Sequence, residues 1–480
     1  MNDFDTFFED CCRRNKTVDR FGHSDKTLAD HLSYLSSIAE RNRSFGSNKS
    51  ADDVYAFAHE HVERLFDKET ADSVTEALKH NIITTADHHG GIFSAQAFQG
   101  DLLYGELLKR MGYKGRYTPV FSFSIVELEN STYARGLCAY TNPCKRVQLP
   151  IQPKKDLNRM VAVTKGFNPE MVERAKLLLK DPAMGFKEEA SELADILDKF
   201  YSDTEIVGLE RYSDQISLIA KRMSEYYFAD DDSRRLVYIE AEEITRKLLI
   251  KDLKDETSIA RHIFFDPKLR KAINEVRTEE GLPLSALLLR GVDEKGRRVH
   301  TELQPDGKLL GAGLNGFKRD YPTDIDSLIG LIEARELLPN GFLDAVLLFF
   351  ERGITWLGGY FQAIYLGTWR DLLIKALEKA GLSHLADKFK SYDCTGYISG
   401  PVYMLTEALD GLCNAGPVEL MKCKMTSDSF SERMNIKMCD AHKMGLFEIY
   451  LDLIPADLKI EGWYRTIADY VKENYGAYMI

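Results

Sequence analysis

Residues 82–101 read IITTADHHGGIFSAQAFQGD. Ile82, Ile83, Thr84 and Thr85 are β-branched and suit a buried extended segment. The ionisable trio Asp87-His88-His89 follows at once, and Gly90-Gly91 ends the strand. A rigid strand that stops at such a trio presents it to a ligand, so Asp87, His88 and His89 are the expected catalytic residues.

Beyond this stretch a helix is expected at about 101–113 and extended segments at 118–128, 133–140 and 145–151, the last two set off by Asn-Pro and other proline-bearing turns. Strand, helix, strand in this order implies an α/β or α+β core around the trio. Before it, residues 3–15, 25–42, 51–66 and 68–80 carry apolar side chains at helical spacing, an N-terminal helical layer. Downstream, 156–280 reads as a long helical block with segments near 169–180, 186–201, 208–228 and 233–254. Residues 284–320 read as a small β-meander, with a hairpin turn at Asp293-Glu294-Lys295-Gly296 and another at Pro305-Asp306-Gly307. Helices are expected again at 324–337, 341–352, 368–380 and 440–453.

The expected fold class is therefore helix-rich α/β or α+β, a small mixed sheet with a helical layer and a large helical block. The 480 residues exceed the roughly 250–300 at which single cores stop growing. Three divisions are expected: 1–155 with the helical layer and the Asp-His-His stretch, 156–280 as a helical domain or insertion, and 281–480 as meander and helices.

Composition narrows the function. A hydrophobic share of 44% and a net charge of −12 describe a soluble globular chain and argue against binding nucleic acid, which rests on lysine and arginine neutralising phosphates. No apolar run reaches the roughly 20 residues that cross a bilayer, so no membrane partner is expected. The N-terminal MNDFDTFFEDCCRRNKTVDR lacks the apolar centre of a secretory signal, and the eight cysteines form no C-x-x-C pair, so a cytoplasmic, reduced protein is expected.

Further candidates stand outside the trio. In AHEHVE, His59 and Glu63 at i, i+4 share a helix face, whereas His59 and His61 at i, i+2 do not. A solvated face with one packed histidine is the preferred reading of the cluster, and His59 with Glu63 is the only pair in it suited to ligation. The loop ENSTYARG gathers Asn130, Ser131, Thr132, Tyr133 and Arg135, hydrogen-bonding groups and one cation suited to an anionic substrate, although turn chemistry alone accounts for the small polar residues. In RGITWLGGYFQAIYLGTW, Gly358-Gly359 permits close backbone approach, and Gln362 stands among aromatic residues as a wall of a pocket or as core. Asp230-Asp231-Asp232 reads as a solvated helix start, and Gly311-x-Gly313-x-x-Gly316 lacks the following helix that a dinucleotide site needs.

Successive strand residues face opposite ways, so Asp87 and His89 can share a face. They then offer one oxygen and one nitrogen to zinc, manganese or iron, with His59 and Glu63 completing the shell. Alternatively, Asp87 accepts a ring N–H and leaves the other nitrogen of a histidine as general base near neutral pH. The letters Asp87-His88-His89 resemble the motif of the DHH phosphoesterases over three residues only. That family also carries a paired-aspartate motif on an earlier strand, which the helical pattern before Ile82 does not offer, so nothing is carried over from it.

The expected function is a soluble enzyme acting on a polar, anionic small molecule through an Asp/His centre. A metal-dependent hydrolase is the first form of it and a metal-free transferase or lyase with a His/Asp general base the second. A non-catalytic helical interaction protein is the rival. Oligomeric state is open.

Overall fold

The computed structural model describes residues 3–87, 94–128, 135–142, 145–184, 189–230, 234–408 and 411–480. Its strands are β1 (Ile82–Thr84), β2 (Tyr117–Ser122), β3 (Gly136–Asn142), β4 (Lys145–Pro150), β5 (Arg235–Glu240), β6 (Leu289–Val292), β7 (Arg298–Leu303), β8 (Leu309–Gly313), β9 (Lys318–Tyr321), β10 (Leu337–Pro339), β11 (Thr355–Leu357), β12 (Leu405–Ala408) and β13 (Gly411–Asn414). Helices make up 56% of the chain, so the fold is the helix-rich α/β or α+β class expected.

The centre is a four-stranded sheet in the order β11-β1-β2-β5, every pair parallel. It draws strands from each of the three expected divisions. Both of its faces are covered. Ile83, Phe121, Val237, Ile239 and Trp356 enter one core, with helices Asp52–Leu65, Lys68–Leu78, Ala241–Leu253 and Gln362–Ala380 over them. Ile82, Val120, Leu236, Tyr238 and Leu357 enter the other, beneath helices Asp3–Arg14, Leu28–Ser44, Ala95–Arg110 and Leu446–Leu453. Parallel strands buried on two sides are continuously apolar, because neither face meets water.

The four expected N-terminal helices form, joined by an unexpected short fifth at Lys16–Gly22, and the meander is an antiparallel sheet in the order β10-β6-β7-β8-β9. Its turns place Gly296 at φ 76° and Gly307 at φ 93°, where a side chain is strained. Gly311 and Gly313 lie in β8, and a single 3-10 turn at Leu314–Gly316, with no α-helix, leads into β9.

Three local expectations change. The segment 233–254 is not one helix: RLVYIE forms β5 before helix Ala241–Leu253, because Val237 and Ile239 pack on one face while Leu236 and Tyr238 pack on the other. Thr355–Leu357, between the helices expected at 341–352 and 368–380, where no strand is expected, is the edge strand β11. The helix expected at 101–113 starts at Ala95, where Ser94 caps it by accepting the Ala97 N–H at 3.3 Å. No helix among the described residues is long and apolar enough to cross a membrane.

Candidate functional site

The sheet order decides where a ligand crevice lies. From β1 the chain proceeds through β2 to β5 in one direction, and only later adds β11 on the opposite side of β1. The helix after β1, Ala95–Arg110, covers one face through Phe98 and Leu102, whereas the helix after β11 turns Leu366 and Leu373 to the other. Connections that leave adjacent strands toward opposite faces open a crevice at the carboxyl ends, the place where open α/β sheets bind ligands. The strand order therefore places a candidate crevice between Thr85-Ala86-Asp87 and the segment leading to Gln362, although these four named residues are themselves buried.

Thr85 and Gln362 meet there. The Thr85 hydroxyl donates to Gln362 Oε1 at 2.7 Å, and the Thr85 N–H continues the strand pairing onto Leu357 O at 2.8 Å. Gln362 is the first residue of its helix and is 4% exposed, yet its Nε2 has no hydrogen-bond partner among the described residues. A buried amide donor left this way is costly unless a ligand or an adjoining segment accepts from it.

Asp87 is 1% exposed and Asp101 is fully buried. Thr84, Val120 and Tyr238 stand side by side across the sheet, and the Tyr238 hydroxyl lies 3.0 Å from both Asp87 Oδ2 and Asp101 Oδ2. One phenol proton cannot serve two carboxylates. Burial, and then the charge of Asp87, raises the Asp101 carboxyl well above its ordinary range. The Tyr238 hydroxyl is the donor toward both carboxyls, and Asp101 is the one of the two pushed toward its protonated form, so the three groups make one buried relay. Burial likewise keeps the Tyr238 phenol from ionising.

A second set of acids surrounds the start of helix Ala95–Arg110. Glu448 Oε2 accepts the Gln96 N–H at 2.9 Å and Glu448 Oε1 accepts the Tyr140 hydroxyl, while the Ala95 N–H donates to the Tyr140 oxygen at 3.2 Å. Asp452 Oδ2 accepts from Tyr360 OH at 2.9 Å and from Gln96 Nε2 at 3.2 Å. Burial raises both Glu448 and Asp452, partly offset by the Arg146 charge. On its other side Tyr140 walls a cavity of about 290 Å³, also lined by Lys199, Phe200, Tyr226, Glu419 and Met421. The Glu419 carboxylate accepts the Tyr140 N–H at 2.7 Å, and burial pushes it up to about 7.

The carboxyl end of β5 is organised differently. Glu240 pairs with Arg211, Glu243 meets Arg211 at 3.0 Å and Arg335 at 2.6 Å, and Ser124 donates to Glu240 at 2.7 Å. Guanidinium groups neutralise these carboxylates, which describes an ion-pair network that ties β2 and β5 to their neighbours.

Of the residues the sequence singles out, Asp87 meets Tyr238, and Gln362 meets Thr85, two residues before Asp87. His88, His89, Asn130, Ser131, Thr132 and Tyr133 lie outside the described residues. Arg135 begins the β3–β4 hairpin, where its Nη1 donates to Gln152 O at 2.9 Å and its own carbonyl accepts the Ile151 and Gln152 N–H groups. His59 and Glu63 sit on the partly exposed face of helix Asp52–Leu65, with His59 Nε2 at 2.9 Å from Asp72 and Nδ1 at 3.6 Å from Glu63. Both ring nitrogens thus face acids other than Asp87, and no group of metal-ligating atoms among the described residues combines these two with Asp87. Asp101 and Tyr238 were not singled out. Asp101 carries a sequence signal, a carboxylate among apolar helix residues, whereas Tyr238 lies in a stretch whose uninterrupted apolar pattern hides the strand.

The chain matches no known protein-family model, and no curated protein or solved structure is significantly similar to it.

Proposed function

We propose that this protein is an enzyme that moves a proton on a polar small molecule in the crevice between β1 and β11, with one of the histidines after Asp87 as general base. The observation that supports it is the Asp87–Tyr238–Asp101 relay at the carboxyl end of β1. In this reading Asp87 is the acceptor for a ring N–H of that histidine, and Tyr238, which donates toward Asp87 and Asp101, holds the carboxylate in place. Ionisable groups buried this deeply are costly to fold around without a use.

The crevice has more acceptors than cations. Asp87 and Asp101 meet at Tyr238, Glu448 and Asp452 surround the start of the helix that follows β1, and Gln362 Nε2 supplies a donor. We therefore take the substrate to be rich in hydroxyl or amino groups, with Arg146 as the cation nearest Glu448 and Asp452 for any anionic part. The expected reaction is a transfer or elimination started by proton abstraction.

The same concentration of carboxyls favours one second reading, a hydrolase whose zinc, manganese or iron is held by Asp87 and His89 and activates water. His59 and Glu63 would have to leave Asp72 and each other to join that shell.

The test is a thermal-shift screen of polyols, amino alcohols, amino acids and small phosphates, with and without chelator. Wild type is compared with Asp87→Asn, His88→Ala, His89→Ala and Gln362→Leu. A compound that stabilises wild type but not the Asp87 and Gln362 variants, and that is turned over only when a histidine is intact, supports the proposal. Stabilisation that needs metal supports the hydrolase. No compound whose effect depends on Asp87 sinks both and leaves an interaction protein.

A further inference from the structure

The first two helices, Asp3–Arg14 and Lys16–Gly22, meet at the single residue Asn15. Its buried side chain caps the second helix, Oδ1 accepting the Thr17 N–H at 2.9 Å and the Val18 N–H at 3.1 Å. So tight a join fixes which side chains of the two helices face each other. Cys12, near the end of the first helix, comes to lie beside Asp19 in the second and His23 just after it. Their ligand atoms, one sulfur, one carboxylate oxygen and one ring nitrogen, are all within 4.8 Å of one another.

We propose that Cys12, Asp19 and His23 bind one zinc-class divalent ion. The ring of His23 decides the arrangement: Nδ1 faces the Asp19 carbonyl oxygen at 3.0 Å and Asp19 Oδ1 at 3.3 Å, a contact it exchanges for the metal, while Nε2 faces Glu9 Oε1 at 3.1 Å. His23 therefore coordinates through Nδ1 and keeps its Nε2–H for Glu9, one turn before Cys12, in the carboxylate–histidine–metal arrangement that orients histidine ligands in zinc sites. A thiolate, an imidazole and a carboxylate suit zinc, whereas calcium and magnesium take oxygen alone. Zinc bonds of about 2.0–2.3 Å require the three ligand atoms to close in by roughly an ångström, within reach of side-chain rotation because Asp19 and His23 are exposed. On binding, the S–H bond of Cys12 breaks, its proton leaves to solvent and a metal–sulfur bond forms. Three protein ligands leave a fourth position for water.

The site is independent of the crevice, and its seat is firm. The first helix packs on the C-terminal helices, Phe4 stacked on Tyr470 at 3.6 Å between ring centroids and Phe7 against Tyr450 at 5.1 Å.

The experiment titrates the full chain, freed of metal by chelator, with Co²⁺ and then Zn²⁺. One equivalent of Co²⁺ should give a thiolate-to-cobalt charge-transfer band and tetrahedral d–d absorption, both removed by Zn²⁺. Cys12→Ser should abolish the charge-transfer band, and His23→Gln should weaken binding at least tenfold. Glu9→Gln should weaken it about tenfold through the ring orientation it sets. Asp87→Asn should bind as wild type does. No charge-transfer band in wild type, a band undiminished in Cys12→Ser, or binding lost in Asp87→Asn overturns the proposal. If Cys12→Ser fails to fold, His23→Gln decides, since its side chain is exposed: unchanged affinity overturns the site.

Discussion

Thr85 and Gln362, 277 residues apart in sequence, share a 2.7 Å hydrogen bond across the two strands where the sheet reverses its order. Gln362→Leu removes this bond and the amide donor that points into the crevice. It should cost about 1 kcal/mol in urea unfolding, because the Thr85 hydroxyl still has Leu357 O at 3.3 Å. It should also abolish the ligand-induced thermal shift. A full shift in this variant removes Gln362 from the site.

Tyr238→Phe leaves Asp87 and Asp101 facing each other without the phenol between them. The expected loss is about 1–3 kcal/mol of stability. Because the phenol lowers the Asp101 pKa, its removal should also hold the Asp101 proton to higher pH. Infrared difference spectra against Asp101→Asn read this directly: the protonated-carboxyl band assigned to Asp101 should persist further into alkaline pH in Tyr238→Phe than in wild type.

Asp344 is fully buried, and burial pushes its carboxyl up to about 7 from an ordinary 3.8. Glu351 is raised to about 8 by burial and by the charge of Asp252. For each, the folded state holds a proton that the unfolded chain has already released, so unfolding releases protons between the two pKa values. Their contribution is whole below about pH 4 and is lost as pH rises through about 7 and 8. Asp344→Asn should flatten the decline in unfolding free energy between pH 5 and about 8 and stabilise the protein at the alkaline end. An unchanged slope in urea titrations contradicts this.

Arg352 is buried completely and grips Asp252 with two bonds, Nη1 to Oδ2 at 2.9 Å and Nη2 to Oδ1 at 2.8 Å. Arg352→Met removes the cation and leaves the buried carboxylate with Lys49, 2.9 Å away. The expected cost is about 3 kcal/mol in chemical denaturation, the low end for breaking a buried pair, because Lys49 remains. The double variant Arg352→Met with Asp252→Leu should recover part of it.

The helical layer before Ile82, the meander with its turns at Gly296 and Gly307, and the strand Ile82–Thr84 that leads to Asp87 were legible in the sequence. Each of the three is written in a local period, a β-branched run or a turn residue. Tertiary structure decided β5 and β11. A parallel strand buried on both faces shows no alternation, and three residues such as Thr355–Leu357 are too few to show a period, so only pairing with β1 and β2 makes them strands. The candidate site divides the same way. Asp87 and Gln362 were legible as polar groups beside glycines, but the partners that give them chemical meaning, Asp101 and Tyr238 for one and Thr85 for the other, reach them only when the sheet and its covering helix assemble. Arg135 shows the reverse: its neighbours in sequence suggested an anion clamp, and the hairpin turned its guanidinium to Gln152 O. Hydrogen bonds between residues far apart in sequence leave no local pattern, so the chain states which groups are reactive and the fold decides which of them meet.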